Sequence, residues 1–231
     1  MRGNMERVKT GISGLDEMLN GGIPKRRHVA LFGGPGTGKT SFGFEYLYRG
    51  AKMGEPGVYV TLEETPDDIL ENMKNTFTEF KDIDNLVDKK LFVEKPDDLT
   101  IEKIAEILES KITNNNVKRA VIDSATMIRA VFEKEGEYRK TAFEFFSLLR
   151  NLDCTAMVAV EAETASKEQM KYSIEHYVLD GIINLYSLDR GDRRVKAIEV
   201  FKMRGSDHSR DLVPFKLMPD GIKVYVGEKV F

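Results

Sequence analysis

Residues 33–40, Gly33-Gly34-Pro35-Gly36-Thr37-Gly38-Lys39-Thr40, satisfy the pattern G-x-x-x-x-G-K-[ST]. The chemistry such a run can do is to hold a chain of phosphates. Glycines let successive backbone N–H groups turn inward with no Cβ in the way, so many donors share a small space. The Lys39 ammonium can reach the β- and γ-phosphates, the Thr40 hydroxyl can ligate Mg²⁺, and Ser41 extends the candidate nucleotide-binding set. The competing reading is a glycine-rich turn with a chance lysine. The flanks decide against it: the apolar run His28-Val29-Ala30-Leu31-Phe32 precedes the loop and helix-forming residues follow. A helix opening near Lys39 adds its orphan N–H groups and the positive end of its dipole.

Carboxylates come next. Asp123 ends the apolar run Ala120-Val121-Ile122. It can hold Mg²⁺ through a water while Thr40 binds the ion directly, or it can be an ordinary strand-end cap. Glu63-Glu64 closes the run Val58-Tyr59-Val60-Thr61-Leu62. The carboxyl ends of parallel strands form the ligand edge of such sheets, so a carboxylate there can orient or deprotonate an attacking water. Glu63 is the better placed base, whereas Glu64 equally suits the dipole of the helix that follows, with Asp67 and Asp68. Lys202 and Arg204, spaced i, i+2 on a late strand, can form a phosphate clamp or decorate a solvated turn. His208 lacks two further ligands for a metal site, His176 reads as a surface or helix residue, and His28 merely begins a strand.

These residues need a scaffold of strands alternating with amphipathic helices, the pattern of a largely parallel sheet covered on both faces. The spacing predicts helices over 40–52, from the Thr65-Pro66 cap to about Asn75, over 99–112 and over 138–152, with strands at 28–32, 58–62, 91–93, 120–123 and 154–160. A polar connection fills 76–90. From Gly181 on, strand-like runs at 181–188, 194–203, 212–217 and 221–226 follow one another with only short turns, so antiparallel hairpins extend the core. The expectation is one α/β domain over 1–231, with a leader at 1–27, a parallel core at 28–180 and a β-rich extension at 181–231.

Composition narrows the function. The chain has 231 residues, 41% of them hydrophobic, which suffices for a continuous core. Its 35 basic and 38 acidic side chains give a net charge of −3, no basis for coating nucleic acid or an anionic membrane. The segment 161–173 follows a core strand at the ligand edge, but its three acids against two lysines make a poor DNA-binding loop. Cys154 is the only cysteine, which excludes an internal disulfide. No apolar stretch nears the ~20 residues that span a bilayer and no signal peptide is evident, so a soluble, cytoplasmic protein is expected.

Thr10-Gly11-Ile12-Ser13-Gly14-Leu15-Asp16-Glu17-Met18-Leu19-Asn20-Gly21-Gly22-Ile23-Pro24 resembles the leader T-G-I-x-G-L-D-x-x-L-x-G-G-I-P of the KaiC-like branch of the RecA superfamily ATPases. Ser13 offers a helix cap there. Glu63-Glu64-Thr65-Pro66 is similar to the family's E-E-T-P, and Lys202-x-Arg204-Gly-Ser206-x-His208 to its K-x-R-G-[ST]-x-H. The resemblance implies a RecA-like P-loop NTPase fold, ATP or ADP with Mg²⁺, and Glu63 as catalytic glutamate. It implies a homo-oligomeric, hexameric ring in which Lys202, Arg204, Ser206 and His208 reach the nucleotide of a neighbouring subunit. Two departures stand out. The chain shows no counterpart of the Ser-Thr autophosphorylation pair, and Lys25-Arg26-Arg27 replaces a usual glycine, expected near the nucleotide edge. Two further readings stay open: a DNA recombination or repair ATPase, and a non-hydrolysing nucleotide sensor for a protein partner.

Overall fold

A computed structural model describes residues 5–162, 172–191 and 193–230. The chain opens with β1 (Arg7–Val8), α1 (Leu15–Met18) and β2 (Ile23–Pro24), which pairs antiparallel with β1. Ser13 does not cap α1. The cap position is Gly14, in the left-handed region at φ 81, and no side chain bonds there. A Cβ on Gly14 would meet the Val224 carbonyl oxygen at 2.2 Å, so the leader closes on the far end of the chain. Asp16 does the tethering instead, accepting from the Thr10 N–H at 2.7 Å and hydroxyl at 2.8 Å.

The core alternates as the apolar spacing requires: β3 (His28–Gly33), α2 (Lys39–Lys52), β4 (Gly57–Thr61), α3 (Pro66–Thr76), α4 (Ile83–Leu86), β5 (Leu91–Glu94), α5 (Ile101–Asn115), β6 (Arg119–Asp123), α6 (Ala125–Ala130), α7 (Glu135–Asn151) and β7 (Thr155–Glu161). Thr65 caps α3 and Thr100 caps α5, each hydroxyl accepting a backbone N–H three residues on. After α8 (Glu175–Val178) come β8 (Gly181–Arg190), β9 (Arg193–Met203), β10 (Val213–Met218) and β11 (Gly221–Val224). The large sheet has the order β11-β10-β9-β8-β3-β7-β6-β4-β5. Neighbours from β8 to β5 are parallel, and β9, β10 and β11 are added antiparallel. The α/β class with antiparallel C-terminal strands is as the sequence predicts, but the first run of the expected antiparallel extension, β8, joins the sheet parallel to β3, so the antiparallel part begins only at β9.

Alternation along β3 divides the interior. Val29 and Leu31 join the cluster under α1, α2 and α3, while Ala30 and Phe32 join the one under α5 and α7. Two stretches depart from expectation. The 76–90 connection contains α4 and buries Phe77, Phe80 and Ile83, with Phe80 stacked on Tyr48 at 3.9 Å. Each such side chain contributes about 1.5–3 kcal/mol on burial. Single apolar residues scattered among charges gave no period to see. Helix α6, six residues long, is likewise too short to show one.

Candidate functional site

The phosphate loop takes the shape its glycines allow. Gly36 at φ 70 and Gly38 at φ 108 occupy the left-handed region, and no atom lies within 4 Å of an ideal Cβ at Gly34 or Gly36. Gly33 is confined differently: a Cβ there would meet Thr37 Oγ1 at 2.4 Å. The buried Thr37 hydroxyl donates to the Gly34 carbonyl at 2.8 Å and pins the loop. Lys39 begins α2 and folds its ammonium back onto the carbonyls of Gly33 and Gly34, at 2.9 and 3.2 Å. Burial pulls its pKa down, against the pull of Glu161, Asp123 and Glu63. A half-buried ammonium at the mouth of the glycine loop is suited to meet an anion. Ser41 is buried in the first turn of α2.

Thr40 and Asp123 meet although 83 positions separate them: the hydroxyl donates to Asp123 Oδ2 at 2.8 Å. Strand order brings this about, because β6 runs parallel in the sheet two places from β3 and its carboxyl end, with Asp123, opens on the cavity that the loop lines. The Tyr59 hydroxyl donates to the same oxygen, and burial with the Asp123 charge holds its phenol well above the ordinary range. Hydroxyl and carboxylate oxygens are the hard donors that Mg²⁺ prefers, beside a cradle left open by Gly34 and Gly36. These residues fit the ion.

The two glutamates separate. Glu63 Oε1 accepts from the Ser124 hydroxyl at 2.9 Å, and its carbonyl accepts from Lys95 at 2.8 Å. Glu64 turns to α3, where Oε2 accepts from Asn72 at 2.8 Å. Both line a cavity of about 160 Å³ with Gly36, Lys39, Thr40, Asp123, Ser124 and Glu161. Ser124, Tyr59 and Glu161 were not singled out from sequence. Ser124 adjoins Asp123 and Glu161 ends β7, so strand-end position was the available signal.

Lys202, Arg204, Ser206 and His208 are absent from that cavity's lining. The Arg204 N–H donates to the Asp180 carbonyl, and the Asp180 N–H to that of His28, at the start of β3. The phosphate loop leaves the other end of β3, roughly 17 Å along the strand. Arg204 lies past the end of β9, so it does not alternate with Lys202 on a strand. Instead both cap the C-terminal end of α8, Lys202 on the carbonyls of His176 and Leu179 at 2.7 and 2.9 Å, Arg204 on that of Tyr177. Ser206 accepts from Arg7 at 2.8 Å, and His208 Nδ1 faces the Ser209 carbonyl at 2.8 Å.

Lys25-Arg26-Arg27 also sits at this far edge, not at the nucleotide edge. Arg26 has φ 61, a conformation that explains a glycine preference, and holds it through Asp153 at 2.6 Å. Arg27 pairs with the buried Asp180 at 3.1 Å. His176 lies in α8, as the helix alternative for it predicts, and is buried against Phe32, ring centroids 4.2 Å apart, not on the surface. Of the 161–173 segment, residues 163–171 lie outside the described residues. No helix among the described residues is long and apolar enough to cross a membrane.

A family model described as "ATPase: KaiC" matches residues 8–229. A UPF0273 protein of Thermotoga maritima is 36% identical, over 97% of this chain and 98% of its own. The circadian clock oscillator protein KaiC of Parathermosynechococcus lividus is 31% identical over 94% of this chain, which spans 42% of it. The crystal structure of a KaiC-like protein from Pyrococcus horikoshii OT3 superposes with TM-score 0.83 at 32% identity, over 96% of this chain and all of that one.

Proposed function

The chain belongs to the KaiC ATPase family of the RecA superfamily, and from that premise we propose that it binds and hydrolyses ATP with Mg²⁺ in a site completed by a neighbouring copy. One observation carries the reading: Thr40, Asp123 and Glu63, drawn from the starts or ends of three separate elements, line one cavity with the phosphate loop. The loop N–H groups and Lys39 bind and orient the triphosphate. Thr40 and Asp123 would hold Mg²⁺, which when bound neutralises charge on the phosphate oxygens. Glu63 faces the place where a water must stand to attack, and accepts its proton or orients it. Lys202 and Arg204, turned away from their own loop, serve the phosphates of the next subunit in a homo-oligomeric ring.

Glu63→Gln tests the base. It removes one proton acceptor while keeping size and hydrogen bonding, so turnover falls on the order of 10²–10⁴-fold and nucleotide affinity stays near that of the wild type. Near-normal turnover would refute the assignment. Nucleotide binding without turnover in the wild type would favour a sensor. A net charge of −3 gives no support to a DNA-stimulated activity.

A further inference from the structure

Lys25, Arg26 and Arg27, which no step of the proposed reaction uses, wall an open groove of about 430 Å³ with Arg150 and Asn151 at the end of α7. Four of these five side chains are cationic, and Lys118 shares a carboxylate with two of them. Two aspartates organise the set. Asp153 takes Arg26 at 2.6 Å and Lys25 and Lys118 each at 3.6 Å, while the buried Asp180 takes Arg27 at 3.1 Å and Arg150 at 3.0 Å. The exposed Glu6, paired with Lys25, is the only other acid in an ion pair with any of these five cations among the described residues. Positive charge is therefore in excess here, in a chain whose net charge is −3. Arg26 adds a second observation. It stands at φ 61, a conformation that glycine takes freely and arginine does not, so the turn keeps a cation despite the strain. Strain held at a turn points to a use for the side chain.

We propose that this groove binds an anion carrying at least two phosphate groups, one held by Lys25 and Arg26 and the other by Arg27 and Arg150. A guanidinium presents five N–H donors in a planar fork that matches phosphate geometry, so those an aspartate accepts leave others for phosphate oxygens. The aspartates fix the cations before a ligand arrives, which lowers the ordering cost of binding. The cations fall into two sets, one on each aspartate, and the groove is larger than one phosphate fills. Both features select a diphosphate or longer chain over a single ion. The groove lies at the amino end of β3, roughly 17 Å along the strand from the phosphate loop. It is therefore distinct from the nucleotide site and independent of any sharing between subunits. The phosphates belong either to a free oligophosphate or to the tail of a nucleotide.

The test is calorimetric titration of the full chain with pyrophosphate and, separately, with ADP. Lys39→Ala weakens the phosphate loop and is expected to leave one pyrophosphate bound per chain in the groove. Adding Lys25→Ala and Arg26→Gly to that chain should weaken this binding by roughly tenfold or more. Glycine suits φ 61, so the turn is kept, and circular dichroism verifies folding throughout. ADP binding to the Lys39→Ala chain that the two added substitutions weaken equally would identify the tail of a nucleotide as the occupant. ADP binding that they leave unchanged, beside weakened pyrophosphate binding, would identify a free oligophosphate. Pyrophosphate binding that is absent from the Lys39→Ala chain at millimolar concentration, or that is the same with and without Lys25 and Arg26, would overturn the inference.

Discussion

The Ser124 hydroxyl donates to Glu63 Oε1 at 2.9 Å, so the residue that follows the proposed metal carboxylate at the end of β6 fixes the proposed base two residues past the end of β4. Adjacent strand ends thereby hold two acids in one cavity with different duties. Asp123 accepts from the Thr40 hydroxyl, whereas Glu63 accepts from that of Ser124.

Ser124 is on this geometry a positioning residue. A hydrogen bond to a charged group is worth about 1.5–3 kcal/mol, so Ser124→Ala should lower kcat by roughly 10–100-fold. KM for ATP should stay within about twofold of the wild type, because the phosphate loop is untouched. Ser124→Thr should restore much of the rate. Equal losses in kcat and ATP affinity would point to loop damage instead. Steady-state kinetics with a direct nucleotide-binding titration separates the two.

Lys39 and Arg204 are predicted to act on one nucleotide from two chains. Lys39→Ala and Arg204→Ala should each be inactive alone. Mixed and reassembled, they should recover a fraction of wild-type turnover, since some contacts pair an intact loop with an intact arginine. A mixture no more active than its parts, with mixed oligomers demonstrated by mass, would refute sharing.

His28 sets a pH dependence of stability. Burial pushes its imidazole from an ordinary 6.5 down to about 4, while Nε2 faces the Phe146 carbonyl at 3.0 Å. The unfolded chain therefore binds the extra proton first as pH falls. The contribution is complete above about pH 6.5 and is lost between there and pH 4, up to roughly 3 kcal/mol. Glu45 runs the other way: burial raises its carboxyl from 4.5 to about 6, giving stability that is present below pH 4.5 and lost as pH rises through 6. Comparing wild type with His28→Gln isolates the histidine. Urea midpoints should fall more steeply from pH 7 to pH 5 in the wild type than in the variant; parallel slopes would refute the prediction.

Much of the site was legible in the chain because its signals are local. The glycine pattern at 33–40 specifies a backbone shape within eight residues, the Thr65-Pro66-Asp67-Asp68 run specifies a helix start, and the alternation of apolar runs specifies a layered α/β fold. Strand ends carrying Asp123 and Glu63 could be named for the same reason, since chain direction alone places them on the ligand edge. What the chain could not reveal depends on register and strand order. That Ser124 holds Glu63 while Glu64 turns to Asn72 follows from which strands neighbour β4. That Lys25-Arg26-Arg27 and Arg204 gather at the edge away from the phosphate loop follows from β8 running parallel to β3 and β9 returning beside it. Local spacing sets which side chains can do chemistry; long-range pairing, invisible in any short window, decides which of them share a cavity and which face outward.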